Sequence, residues 1–101
     1  MSTPKRVEIK TSTQQDKKYM ALFYNSEDKK IKTTHFGSKG MNDFTLTGDK
    51  NARERYRKRH KKDLDTNDFT RAGYLSYFIL WGEFQDIKKN ISDYKKRFSL
   101  G

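Results

Sequence analysis

Eight basic residues fall in thirteen positions between Lys50 and Lys62: Lys50, Arg53, Arg55, Arg57, Lys58, Arg59, Lys61 and Lys62. Glu54 is the only acid inside that run, and Asp49, Asp63 and Asp65 merely flank it, so most of the charge has no local counter-ion. A folded surface of this kind repels itself and gains by meeting a polyanion. A row of phosphates fits best, because each neutralised phosphate releases condensed counterions and makes binding salt-dependent. No pattern for reading base edges accompanies the run: zinc-finger spacing, a leucine heptad and an RNP-type aromatic motif are all lacking. The expected contact is therefore with the backbone, at low sequence selectivity.

Lys39 extends this set. Gly37-Ser38-Lys39-Gly40 has the bare G-x-x-G pattern in which backbone N–H groups approach a phosphate. It follows a strand-like run rather than a helix, and no Gly-Lys-Ser or Gly-Lys-Thr follows, so a strand-exit turn with Lys39 beside a phosphate is the simpler reading. The sheet aromatics Tyr19, Phe23, Tyr24 and Phe36 could stack on unpaired bases, but a chain this poor in aliphatics needs its rings for the core.

Other chemistry is not supported. Asp63-Leu64-Asp65-Thr66-Asn67 begins like a calcium loop, yet Asp68 stands where glycine is required and Tyr74 where a bidentate Glu is required. Helix termination followed by capping is the expected role. His35 and His60 have no second histidine at ligand spacing, cysteine is absent, and Ser38 with His35 makes no recognisable nucleophile motif. No enzyme activity, metal or cofactor is expected.

These residues must be positioned by a small fold. Residues 1–6 carry no apolar periodicity and are expected to form a mobile basic arm, leaving 7–101 as a single α+β domain. Val7, Ile9 and Thr11 alternate with polar neighbours, 18–24 is apolar on both faces, and 31–36 is rich in β-branched residues. The pattern predicts a three-stranded antiparallel meander with the second strand central, turning at Gln14-Gln15-Asp16 and Asn25-Ser26-Glu27-Asp28. An irregular stretch follows through Asn42, Asp43 and Gly48. About three helices should come next. The first begins after an Asp49 cap and spans 50–62, with only Ala52, Tyr56 and Leu64 as an apolar stripe, so it lies outside. The second, capped by Thr70 and running 72–81 to Gly82, is apolar on nearly all sides and should be the buried core. The third sets Ile87, Ile91, Tyr94 and Phe98 on one face, which can pack over the core helix or against a second copy of the chain.

Composition bounds the class. The chain has 101 residues, a formal charge of +10 and no cysteine, which excludes disulfide and cysteine-zinc frameworks and allows one small domain. The longest apolar run, 77–81, is far too short to span a bilayer, and 1–10 has no apolar signal core. A transmembrane segment and secretion are therefore not expected. Nucleic acid is the leading partner, DNA ahead of RNA; an anionic membrane surface or an acidic protein is the alternative.

Several blocks resemble a known group. These are Tyr19-Met20-Ala21-Leu22-Phe23-Tyr24, His35-Phe36-Gly37-Ser38-Lys39-Gly40, Asp43-Phe44-Thr45 and Arg53-Glu54-Arg55-Tyr56-Arg57-Lys58-Arg59-His60. They continue with Ala72-Gly73-Tyr74-Leu75-Ser76-Tyr77-Phe78-Ile79-Leu80-Trp81-Gly82 and Ile91-Ser92-Asp93-Tyr94-Lys95-Lys96-Arg97-Phe98. In order and spacing the set is similar to small basic proteins of unknown function from nucleocytoplasmic large DNA viruses, the giant viruses. The resemblance implies a viral origin and a genome- or virion-associated protein, placed in the virion or in the host cytoplasm or nucleus. Its alternative is a virion structural, minor capsid or interaction protein that docks an acidic partner through the basic face.

Overall fold

Alternation in the first run, apolar residues on both faces of the second and β-branched residues in the third produce three strands, β1 (Arg6–Thr11), β2 (Lys17–Tyr24) and β3 (Lys30–Ser38), antiparallel and in the order β1-β2-β3. The computed structural model describes residues 3–101. Val7 pairs with Phe23, Ile9 with Ala21 and Tyr19 with Phe36, which gathers these side chains on the face that meets the helices. The β2–β3 turn is closed by the Asn25 carboxamide oxygen, which accepts from the N–H groups of Glu27 and Lys29 at 3.0 Å each. Arg6, assigned by sequence to the arm, opens β1 instead. Lys5 is tied on both sides, its N–H to Tyr24 O at 2.8 Å and its carbonyl to Gly101 N at 2.9 Å, while Met1 and Ser2 lie outside the described residues.

Four helical segments follow the sheet: α1 (Phe44–Thr47), α2 (Lys50–His60), α3 (Ala72–Leu75) and α4 (Ile87–Arg97). The stretch expected to be irregular contains α1, capped by the Asp43 side chain on Thr45 N and closed by Gly48 at φ 66°. Helical hydrogen bonding in α2 gives way after His60 to a tighter 3-10 stretch, Lys61–Thr66, which ends with Asn67 left-handed at φ 54°. The Thr70 cap did not form: Arg71 precedes α3 without a side-chain cap, and the Thr70 N–H and hydroxyl instead donate to Asp68 at 3.0 and 2.5 Å.

The core helix is confirmed at 72–80, with one modification. After Leu75 it widens into a π turn, Ser76–Leu80, and Trp81 N–H donates to Ser76 O at 2.9 Å. Ile79 and Leu80 of this turn join the core cluster with the sheet and α4, and Tyr77 is buried beneath the Arg57 guanidinium. From α4, Ile87, Ile91, Tyr94 and Phe98 pack onto that core, as their spacing requires. Gly37 lies where β3 passes the core helix; a Cβ there would sit 2.8 Å from Leu80 Cδ1, and φ is +79°.

Asp68 links this layer to the sheet and carries one expectation. Its hydrogen bonds from Thr70, with Lys32 and Arg71 nearby, hold its carboxyl below the ordinary range. A depressed folded value means stabilisation above the unfolded value of about 3.9 that is lost as pH falls through the folded value. Melting temperature should therefore drop as pH is lowered below about 4, and Asp68→Asn should flatten that drop; an unchanged acid profile in the variant would rule out this contribution.

Candidate nucleic-acid interface

Asp49 starts α2 by accepting from the N–H groups of Asn51 and Ala52 at 3.0 and 3.1 Å. At 3.6 residues per turn, Ala52, Arg53, Tyr56, Arg57 and His60 then share the side facing the protein. Tyr56 lies between two other rings, stacked on Trp81 at 4.4 Å and 7° and on His60 at 4.1 Å and 26°. Burial pushes its phenol above the ordinary value. The His60 ring is also held by Asp63, Nδ1 to Oδ2 at 3.0 Å.

Two of the predicted phosphate contacts belong to this inner side. Arg57 donates to Trp81 O at 2.8 Å, and its guanidinium lies 4.3 Å above the Tyr77 ring. Arg53 donates to Glu83 O at 3.1 Å and Gly82 O at 3.5 Å, with its guanidinium 4.8 Å above the Phe44 ring and 3.3 Å from Glu54. The carbonyls concerned are those left over where the core helix ends, so the two arginines cap that helix from outside. Both are thus turned inward and partly buried, which sets them apart from the outer residues of the run.

The remaining predicted residues stay together on the outside. Lys50, Arg55, Lys58, Arg59, Lys61 and Lys62 are exposed, and among the described residues none has an acidic partner within ion-pair distance. Glu54, the one acid of the run, is engaged with Arg53. Arg55, Lys58 and Lys62 follow one ridge of the helix, spanning roughly 10 Å at 1.5 Å per residue. Lys39 is also exposed, in the turn that leaves β3; its N–H donates to Asp16 O at 2.9 Å, so that amide is not free for an anion. The neighbouring residues Ser38 and Gly40 line a groove of about 680 Å³ that Tyr56, Arg59 and His60 of α2 also line. The turn and the basic helix, separate signals in the sequence, thus border one depression.

Sequence reasoning missed both the arginine caps and the ring stack. Arg53 and Arg57 are spaced i, i+4 beside Ala52 and Tyr56, which signals a shared inner stripe, but a guanidinium count alone hides it. His60 follows Tyr56 at the same spacing. Trp81, from another element, could be found only with the fold in hand.

Among the described residues no helix is long and apolar enough to cross a membrane. No curated protein and no solved structure matches the chain. Residues 7–60 match the model of a family of unknown function, DUF5754, from β1 to the end of the basic helix. Since the match covers more than half of the 101 residues, the chain belongs to this family.

Proposed function

We propose that this is a nucleic-acid-binding protein that lays the outer face of α2 along a phosphate backbone with little sequence selectivity, on DNA in preference to RNA. The observation that carries the reading is the set of six exposed cations on α2 and its 3-10 extension, none with an acidic partner among the described residues. The same face contains no aromatic residue, so it contacts charge and does not stack bases. A duplex offers the denser phosphate array. The resemblance to small basic proteins of giant viruses supports a genome- or virion-associated setting.

The test is an anisotropy titration of labelled duplex DNA, single-stranded DNA and RNA at about 50 and 200 mM salt. Micromolar or tighter duplex binding that weakens steeply with salt is the expected result. No binding at the lower salt would overturn the reading and favour docking to an acidic protein through the same face.

A further inference from the structure

We propose that the groove between the Gly37–Gly40 turn and the flank of α2 is a second binding site, sharing only Arg59 with the outer face of that helix, and that it takes a nucleotide unit: a flat heteroaromatic ring bearing a phosphate. Ring chemistry comes first. Trp81, Tyr56 and His60 all line the groove and form one stacked column, in which Tyr56 is filled on both faces and His60 ends the series. The His60 side chain is 41% exposed, so a further ring can extend the column there.

Charge supplies the second half of the ligand. Two acids of the groove already have partners, Asp43 in an ion pair with Lys18 at 2.5 Å and Asp63 in a hydrogen-bond contact with the His60 ring at 3.0 Å. Lys17 and Arg59 line the same groove, and neither has an acidic partner among the described residues. Their surplus suits a phosphate. A volume of about 680 Å³ lies within the range of small-molecule sites, and Phe36 and Leu80 contribute apolar lining. A base held in a duplex presents no free face, so the ligand is either a free nucleotide or an unpaired nucleotide of a strand.

Trp81 is the only tryptophan, which makes its fluorescence a reporter of the column. The experiment titrates the full chain with AMP, with ribose 5-phosphate and with a single-stranded tetranucleotide. AMP or the tetranucleotide should change the emission saturably, and ribose 5-phosphate should bind roughly five- to a hundredfold more weakly, because it lacks the stacking ring. A response to AMP names a free nucleotide as sufficient; a response to the tetranucleotide alone names a strand. Lys17→Ala should weaken the response several-fold while leaving duplex binding unchanged, since Lys17 lies on β2 and not on α2. His60→Ala should abolish the advantage of AMP over ribose 5-phosphate. Equal binding of those two by the wild type, no response to either ring-bearing ligand, or an unaltered Lys17→Ala titration would overturn the proposal. Failure of duplex binding would instead overturn the α2 reading and leave the AMP response as it stands.

Discussion

Asn90→Ala is expected to lower stability by about 3–4 kcal/mol, most of the smallest stabilities found for domains of this size. Asn90 is buried on α4, where its amide donates to Ile79 O at 2.9 Å and Phe84 O at 2.7 Å, and its oxygen accepts from Phe84 N at 3.0 Å. One side chain thereby holds the end of the core helix and the loop that leaves it. Alanine would strand those groups, each costing about 1 kcal/mol or more, and leave a cavity beside them. A melt followed by circular dichroism should show a fall of roughly 15–25 °C. A fall below about 3 °C would mean that the loop closes without the clamp. Gly82 occupies the same locus: an added Cβ would lie 2.2 Å from Phe78 O and 2.7 Å from Asn90 Oδ1, so Gly82→Ala should be comparably damaging. The two losses should not add, because both open the same contact.

The second large effect separates arginines that the sequence does not distinguish. Arg53→Ala with Arg57→Ala removes charged donors from the Trp81, Gly82 and Glu83 carbonyls and two guanidinium–ring contacts. The expected cost is about 3–5 kcal/mol. Replacing Arg55, Lys58, Arg59 and Lys62 together by alanine should instead change stability by less than about 1 kcal/mol, since these residues are exposed and mutually repulsive. Duplex affinity should show the reverse order. Four lost phosphate contacts should weaken binding by about two orders of magnitude at 50 mM salt. Folded protein at the temperature of the assay, checked by circular dichroism for both variants, keeps the comparison valid. Equal destabilisation by the two variants would refute the division of α2 into an inner and an outer set.

The sheet was legible because β1 alternates in sequence, β2 carries apolar residues on both faces and β3 is rich in β-branched residues. The all-round apolar stretch at 72–81 announced the core helix for the same reason. What stayed hidden depends on groups that have no sequence period. The π turn arises where Tyr77, Ile79 and Leu80 must all be buried at once, and α1 is a single turn defined by Asp43 and Gly48 rather than by a repeat. Arg53 and Arg57 were assigned by charge, although their destination is fixed by carbonyls 24 to 30 residues later in the chain. The groove likewise needs β2, the Gly37–Gly40 turn, α2 and the core helix in place before its walls face one another.

The most direct test of the central claim is the salt dependence of duplex binding, measured for the wild type and for the variant lacking Arg55, Lys58, Arg59 and Lys62. The plot of log affinity against log salt should be steep for the wild type. In the variant its slope should be smaller by about three to four units, one for each phosphate contact removed. Parallel slopes, or a wild type that fails to bind duplex at about 50 mM salt, would contradict the assignment of the outer face of α2 to a phosphate backbone.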